Sequence, residues 1–316
     1  MTVAIVGPGS IGAAHAAAWR QVGADVAYLV ARQSDAALAD APAARTVTRL
    51  DEALADPTLD IVTICTPTPT HRELAVASLR AGKHVLLEKP MALSVADAES
   101  IAREADTCGR VLMVAHVVRF FDAYARVREA VAAGEVGRVL HVRAERMIAP
   151  PTTPWWHDED LSGGVAVDVG IHDLDQANLL LGTPVAVRSY AADALGPVET
   201  TVRYAGGGTA QVLSHARMPA SRPFATSLQV TGDAGMLRIR DDEEASAVPQ
   251  LAGAGSAEGA GAARNPYATQ AAHFLECVAS GTPSAIAPTS DAVLALRTAL
   301  AARDSVRAGG AWVELA

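Results

Sequence analysis

The chain of 316 residues carries 26 Lys and Arg against 35 Asp and Glu, which gives a formal net charge of -9. Half of its residues are hydrophobic and 19% are charged, so it is too apolar for a disordered chain and large enough for two domains. The acidic balance argues against broad contact with nucleic acid or anionic lipid, and we expect neither partner. No uncharged run approaches the roughly 18 apolar residues of a membrane-spanning helix.

The cysteines and the N-terminal pattern exclude further classes of protein. Cys65, Cys108 and Cys277 are scattered, without the spacing of a metal site or a disulfide framework. A strand pattern starts at Val3, so we expect no secretory leader. The expectation is therefore a cytoplasmic protein without a bound metal.

The first 120 residues alternate between strand and helix patterns. Continuous apolar runs, which are typical of parallel strands buried on both faces, occupy 3–6, 25–31, 61–65, 84–88 and 111–115. Helical patterns lie between them, at 11–22, 70–81 and 94–107. This alternation predicts a doubly wound parallel sheet of the Rossmann type.

After residue 120 the pattern changes. Alternating strands separated by glycine turns at 206–208 and 233–235 predict an antiparallel sheet, with helices at 122–133, 168–181, 265–280 and 290–307. Residues 252–263 are almost all Gly, Ala and Ser, and we expect a mobile loop there. We therefore predict an α/β dinucleotide-binding domain at 1–119 and an α+β substrate-binding and oligomerisation domain at 120–316.

The first motif is a glycine-rich turn between the first strand and the first helix. In the G-x-G-x-x-G pattern of 7–12, Gly7 permits the tight turn, Gly9 lets the backbone approach a pyrophosphate, and Gly12 lets helix and strand pack closely. The phosphates would lie at the helix N-terminus, where Ser10 and Ile11 supply free N–H groups. The alternative is a glycine turn without a ligand.

The end of the second strand indicates which dinucleotide binds. An acid that bonds the ribose hydroxyls of NAD is expected about twenty residues after the glycines, and Ala31 stands there instead. Arg32 and Ser34 are suited to a 2′-phosphate. We therefore predict a preference for NADP(H), with NAD(H) as the alternative if Arg32 is simply a solvent-exposed residue.

Two further loops follow strand ends of the same sheet. Thr66, Pro67, Thr68 and His71 come after the fourth strand, where N–H and hydroxyl groups would line the cofactor. In this loop Thr70 is also expected to cap the next helix. Glu88 and Lys89 end the fifth strand, and a lysine beside a nicotinamide would polarise a substrate oxygen. An ordinary surface lysine is the alternative for Lys89.

A carboxylate and an imidazole come together in the segment 162–175. On a single helix Asp168 and His172 are four residues apart and share a face, with Asp175 a turn further on. A carboxylate beside an imidazole fixes its tautomer and suits it to act as a general base. A surface contact, a helix cap or metal ligation is the competing interpretation.

Other residues are candidates for the substrate pocket. Trp155 and Trp156 offer indole faces on which the C–H faces of a sugar stack, or they anchor the loop under the domain. His116 and Arg119 follow the last strand of the first domain and border the same cleft, unless His116 is a buried structural histidine. We expect structural roles for His15 and His273.

These motifs together resemble the Gfo/Idh/MocA family of NAD(P)-dependent sugar and cyclitol oxidoreductases. The resemblance rests on the glycine turn, the Thr-Pro-x-x-x-His of 66–71, the Glu-Lys-Pro of 88–90 and the segment from Ser162 to Asp173, with further matches at 119–120, 230–235 and 265–267. It implies a catalytic set of Lys89, Asp168 and His172, a cis Lys89–Pro90 bond and a large open sheet. It also implies homodimers or homotetramers built on that sheet.

The resulting expectation is reversible oxidation of a secondary alcohol on a sugar, cyclitol or related polyol. His172 would take the hydroxyl proton, Asp168 would orient His172, and Lys89 would stabilise the charge that develops on oxygen. Two alternatives remain open. One is a redox-assisted glycoside hydrolase or lyase with a tightly held dinucleotide, and the other is a dinucleotide sensor without catalytic activity.

Overall fold

The computed structural model of the chain describes residues 1–33, 37–219, 221, 224–240 and 264–315, so the segment 252–263 lies outside the described residues. These form two compact units. The first contains Met1–Phe120 and Arg264–Val293, and the second contains the described residues from Phe121 to Arg240 and from Leu294 onward. No helix in the described ranges is both long and apolar enough to cross a membrane.

Strands and helices alternate along the first part of the chain, and most of the strands then follow one another. The strands are β1 Thr2–Val6, β2 Asp25–Val30, β3 Arg45–Val47, β4 Ile61–Ile64, β5 His84–Glu88, β6 Leu112–Ala115, β7 Val139–Ile148, β8 Pro184–Ala191, β9 Val198–Tyr204, β10 Thr209–His215, β11 Phe224–Gly232, β12 Met236–Arg240 and β13 Val313–Glu314. The helices are α1 Ser10–Gln21, α2 Leu50–Leu54, α3 His71–Arg80, α4 Val95–Cys108, α5 Asp122–Ala132, α6 Glu159–Ser162, α7 Gly164–Asp168, α8 Ile171–Leu181, α9 Pro266–Ser280 and α10 Thr289–Arg307.

The first unit is a six-stranded sheet with the order β3-β2-β1-β4-β5-β6, and every pair is parallel. Its central strands are continuous apolar runs because both of their faces are covered; all four residues of β4 are buried. This strand order is that of a doubly wound dinucleotide-binding sheet, so the predicted Rossmann fold is confirmed. The carboxyl ends of its strands form the edge at which such sheets bind ligands.

Helix α9 belongs to the first unit, although it comes from the far end of the chain. It packs against α1, where the rings of Trp19 and Phe274 meet edge to face with centroids 6.3 Å apart. Its start is fixed by Asn265, whose side chain accepts the N–H of Tyr267 at 3.1 Å. A division of the chain at residue 120 alone therefore omits the return of 264–293 to the first unit.

The second unit is built on a seven-stranded sheet with the order β12-β11-β7-β10-β9-β8-β13. Only the β7–β10 pair is parallel, so the predicted, mostly antiparallel sheet is confirmed. Burial alternates along β9, where Val202 and Tyr204 point to the covered face and Glu199 and Arg203 are exposed. Helix α8 packs on this sheet at β7, which positions the segment from Asp168 onward.

Candidate active site

The glycine turn at the start of the first unit has the geometry of a phosphate-binding loop. Gly7 has φ +85°, and a Cβ on it would lie 2.9 Å from the carbonyl oxygen of Cys65. A Cβ on Gly12 would lie 2.5 Å from the carbonyl oxygen of Gly7, so α1 packs directly on the turn. Around Gly9 the Cβ position has no heavy atom within 4 Å. The turn thus leaves open backbone at the N-terminus of α1, which fits the pyrophosphate of a dinucleotide.

The end of β2 carries no carboxylate among its described residues. Ala31 donates its N–H to the carbonyl oxygen of Val47 at 3.0 Å, and Arg32 is exposed. Ser34, the second residue predicted to hold a 2′-phosphate, lies outside the described residues. The preference for NADP(H) therefore stays a prediction.

The loop after β4 is stiffened by hydrogen bonds among its own residues. Thr66 and Thr70 share a hydroxyl–hydroxyl bond of 2.7 Å, and the Thr70 hydroxyl donates to the carbonyl oxygen of Pro67 at 2.8 Å. Thr70 occupies the N-cap position of α3, as expected, but its hydroxyl makes no capping hydrogen bond because it bonds back into the turn. Thr68, which begins a short 3₁₀ turn, is buried.

His71 joins this loop to the loop after β5. Its Nδ1 lies 2.9 Å from the carbonyl oxygen of Pro90, and its Nε2 lies 2.9 Å from that of Thr66. Burial lowers the pKa of the His71 imidazole, although both carbonyls oppose that shift. His71 thus lies between two cofactor-side loops, where the neutral ring donates its one N–H to one of the two carbonyls, whereas its direct contact with a cofactor stays a prediction.

Glu88 organises the end of β5. One carboxylate oxygen lies 2.8 Å from Nε2 of His15 on α1, and the other accepts the backbone N–H of Lys89 at 3.1 Å. The His15–Glu88 pair is almost fully buried and links the helix of the glycine turn to the lysine. The Lys89–Pro90 bond is cis, as the family resemblance implies. Beside this carboxylate, burial raises the pKa of the Cys65 thiol well above its ordinary value, which argues against a nucleophilic cysteine.

His116 and Arg119, which follow β6, are buried, whereas residues on the rim of a pocket are partly exposed. His116 and Arg119 are each 2% exposed. The Arg119 guanidinium donates to the Asp291 carboxylate and to the carbonyl oxygen of Ile286, both at 2.8 Å. Arg119 thus ties the end of the sheet to the 264–293 segment within the first unit, and contact of either residue with substrate stays a prediction.

In the second unit the segment with the carboxylate and the imidazole is not one helix. Asp168 ends α7, Val169 and Gly170 intervene, and His172 lies in the first turn of α8. A Cβ on Gly170 would lie 2.6 Å from the carbonyl oxygen of Ala166, so the chain bends where only glycine fits. The predicted placement of both side chains on one face of a continuous helix is therefore wrong. Both residues are half-buried.

The two tryptophans before this segment differ in their surroundings. Trp156 is 5% exposed, and its indole N–H donates to Oδ2 of Asp168 at 2.7 Å, whereas Trp155 is half-buried. This burial and this bond favour the alternative in which Trp156 anchors its loop, and contact of either tryptophan with a substrate stays a prediction. His157, next in the same turn, is exposed and bonds to the carbonyl oxygen of Pro151.

Sequence reasoning missed a buried ion pair next to this segment. Nε and Nη2 of Arg146 bond to the two carboxylate oxygens of Asp173 at 2.8 and 3.0 Å. Burial disfavours the charge on Arg146, but Asp173 outweighs it, and the pKa of the guanidinium is raised. The available signal was the alternation of β7, which places Arg146 on the same face as the buried Val142 and Ala144. In the described part of the chain no three His, Cys, Asp or Glu residues are grouped to hold a metal ion.

Two family models match consecutive parts of the chain. One, described as "Oxidoreductase family, NAD-binding Rossmann fold", matches residues 1–116. The other, described as "GFO/IDH/MocA C-terminal domain", matches residues 124–238. Together the two matches span most of the chain and follow its two-part order.

Several relatives that match the chain in sequence are oxidoreductases, as the family models describe. The 1,5-anhydro-D-fructose reductase of Ensifer adhaerens is 36% identical over 140 residues, 43% of this chain and 42% of that protein. The scyllo-inositol 2-dehydrogenase (NAD(+)) of Bacillus subtilis (strain 168) is 28% identical over 82% of this chain and 78% of that protein, and the NADP(+) enzyme of the same name and organism is 32% identical over 47% and 42%. The chain spans about half the length of several relatives that it matches.

The structural comparison covers the whole chain. The structure of a putative myo-inositol dehydrogenase from Sinorhizobium meliloti 1021 superposes with a TM-score of 0.83 at 25% identity, covering 100% of both chains. The agreement extends through both units in sequence order, as the motifs of the sequence do. The chain therefore belongs to the Gfo/Idh/MocA family of oxidoreductases.

Proposed function

We propose that the chain is an NAD(P)-dependent dehydrogenase that oxidises a secondary alcohol of a sugar, cyclitol or related polyol, and reduces the ketone in the reverse direction. The observation that carries the proposal is the glycine turn, with its open backbone at Gly9 and its close packing at Gly12. The relatives named as inositol dehydrogenases and as a sugar reductase support the substrate class.

The residues of the chain would divide the work of moving a proton and stabilising charge. His172 takes the proton of the substrate hydroxyl, and Asp168 orients His172 and favours its protonated form. The ammonium group of Lys89 stabilises the negative charge that develops on the same oxygen as the C=O bond forms. The bound nicotinamide supplies the acceptor, or in reverse the donor, of the hydride.

The cofactor would be held by the glycine turn and by the loops at the ends of β2 and β4. The N–H groups of Ser10 and Ile11 would face the phosphates, and Arg32 would pair with the 2′-phosphate of NADP(H). We propose NADP(H) as the preferred form because Ala31 replaces the acid that would repel this phosphate. NAD(H) is the alternative, and the two Bacillus subtilis relatives represent both choices.

We also propose a homodimer or homotetramer formed through the uncovered face of the seven-stranded sheet. Charged and aromatic side chains are exposed on β8 and β9 and next to β13, among them Tyr190, Arg203 and Trp312. The Arg203 guanidinium lies 4.3 Å from the centroid of the Trp312 ring. Light scattering coupled to size-exclusion chromatography measures the oligomeric state. A wild-type dimer or tetramer that Trp312→Glu dissociates supports the proposal, and a wild-type monomer overturns it.

The activity is tested with a panel of polyols and keto-sugars, followed at 340 nm with both cofactors. We expect turnover with a polyol, and we expect His172→Ala and Lys89→Ala each to lower kcat by about 10²- to 10⁴-fold with near-normal cofactor affinity. Unchanged turnover in either variant contradicts the role of that residue. Reaction without net NAD(P)H change would favour the redox-assisted hydrolase or lyase, and dinucleotide binding without turnover of any substrate would favour the sensor.

A further inference from the structure

Trp156 is a buried residue that bonds directly to the proposed catalytic carboxylate of Asp168. Its indole N–H, the single hydrogen-bond donor of the side chain, donates to Oδ2 of Asp168 at 2.7 Å, and the ring is 5% exposed. A short bond from a buried donor to a carboxylate is among the stronger hydrogen bonds in proteins, and losing one partner leaves the other buried and unsatisfied.

Asp168 lies at the end of a short helix, and its neighbours Val167 and Val169 are buried, so the backbone fixes its Cα but not the rotation of its carboxylate. Asp168 is the last residue of α7, a helix of only five residues, and Val169 and Gly170 separate it from α8. The bond from the Trp156 indole restrains the rotation of this carboxylate from outside the helix.

The turn that carries Trp156 is itself anchored to the same segment. The N–H of Trp156 donates to the carbonyl oxygen of Thr153 at 3.1 Å. Farther along, the Ser162 hydroxyl donates to the carbonyl oxygen of Asp158 at 2.9 Å and accepts the N–H of Gly164 at 3.0 Å. These bonds and the Trp156–Asp168 bond join residues 153–168 into one closed, hydrogen-bonded unit.

We propose that Trp156 is a positioning residue for the reaction: by holding Oδ2 of Asp168 it fixes the orientation in which this carboxylate acts on His172. The proposal rests on the proposed function, because it assigns Asp168 and His172 to proton transfer. Trp156 itself touches neither substrate nor cofactor in this account. Its effect is therefore on the proton-transfer step and not on substrate affinity.

The first test separates this role from a purely structural one. Trp156→Phe keeps most of the ring volume and removes the donor; we expect kcat to fall about 10- to 100-fold while KM changes less than about threefold. Trp19→Phe is the matched control, since Trp19 is also buried and donates its indole N–H to the Thr63 hydroxyl at 3.0 Å. We expect it to lower the Tm and to leave kcat within about twofold.

A double-mutant cycle shows whether Trp156 acts through Asp168. If it does, Trp156→Phe combined with Asp168→Asn is no slower than Asp168→Asn alone, because the group that the indole holds has already lost its function. If the fold losses in kcat from the two substitutions multiply in the double variant, Trp156 acts independently of Asp168 and the proposal is overturned. A Trp156→Phe enzyme with wild-type kcat would also overturn it.

A spectroscopic measurement stands even if Trp156→Phe does not fold or if no substrate is found. The indole N–H resonances of the four tryptophans are recorded for the full chain labelled with ¹⁵N. We expect the Trp156 proton to lie downfield, exchange slowly with solvent and move upfield in Asp168→Asn. A Trp156 resonance that this substitution leaves unmoved overturns the proposal, whereas failure of the proposed function would show only in the activity assays.

Discussion

Arg146 and Asp173 form a two-point ion pair in the interior of the second unit, with N–O distances of 2.8 and 3.0 Å and both side chains almost fully buried. Asp173 directly follows His172, and Arg146 comes from β7. The pair therefore ties the first turn of α8 to the sheet. Through it the covered face of the sheet helps to place the proposed general base.

Breaking this pair should be far more costly than breaking an exposed one on the same strand. Asp173→Ala leaves the Arg146 guanidinium buried without its partner, and we expect a loss of about 3–5 kcal/mol of stability. The matched control is Glu145→Ala, which breaks the exposed Arg143–Glu145 pair at a cost of at most about 1 kcal/mol. Urea unfolding followed by circular dichroism measures both, and equal losses would contradict the buried assignment.

Gly9 and Gly12 of the phosphate turn should respond differently to replacement by alanine. Gly12→Ala places a methyl group 2.5 Å from the carbonyl oxygen of Gly7, and we expect a loss of about 1–3 kcal/mol of stability. Gly9→Ala meets no atom within 4 Å and has a φ of −83°, so stability should change by less than about 0.5 kcal/mol.

For Gly9→Ala we expect the affinity for NADPH to fall by roughly tenfold or more, because the new methyl group occupies the approach to the backbone. Calorimetric titration of the folded variant measures this. Unchanged affinity would show that the dinucleotide does not approach Gly9.

Arg32 should determine the choice between the two dinucleotides. Arg32→Ala removes a charge-assisted contact with the 2′-phosphate, and we expect the Kd for NADPH to rise about tenfold while that for NADH changes less than about twofold. Titrations at two salt concentrations provide the check, since the wild-type preference should weaken as salt screens the exposed arginine. A wild-type protein that binds NADH more tightly would overturn the proposed preference.

The burial of the His71 imidazole makes the stability of the fold depend on pH. Burial lowers the pKa of its imidazole in the folded protein, whereas in the unfolded chain it titrates near 6.5. The unfolded chain therefore takes up the proton first, and the stability that neutral His71 contributes above pH 6.5 is lost as the pH falls below that value. The stability difference between wild type and His71→Gln should shrink from pH 7.5 to pH 5.0 in urea unfolding. A difference independent of pH would contradict this.

The fold was predictable where local pattern and burial agree. β4 is a continuous apolar run that is buried on both sides, and α4 is capped by Ser94, whose hydroxyl accepts the N–H of Asp97. Three-residue β3 and the return of α9 to the first unit were not predictable, because they depend on contacts between distant segments, such as that of Trp19 with Phe274.

The candidate site likewise has features that local sequence predicts and features that depend on distant contacts. The glycine spacing predicts the turn, since each glycine is required by a close approach that any such turn shares. The break between Asp168 and His172 was not predictable, because a Cβ on Gly170 would lie 3.0 Å from the Ser214 hydroxyl of a distant strand as well as 2.6 Å from the Ala166 carbonyl oxygen of α7. Likewise, the sequence near Trp156 does not indicate whether its N–H faces water or a carboxylate.

Transfer of isotope from substrate to cofactor tests the central claim most directly. A polyol that is turned over in the panel is prepared with deuterium on the carbon that bears the reacting hydroxyl, and the reduced cofactor is analysed by mass spectrometry. The account predicts one deuterium in each NAD(P)H formed and a primary isotope effect on kcat wherever chemistry limits turnover. Substrate conversion without deuterium in a released reduced cofactor would contradict it.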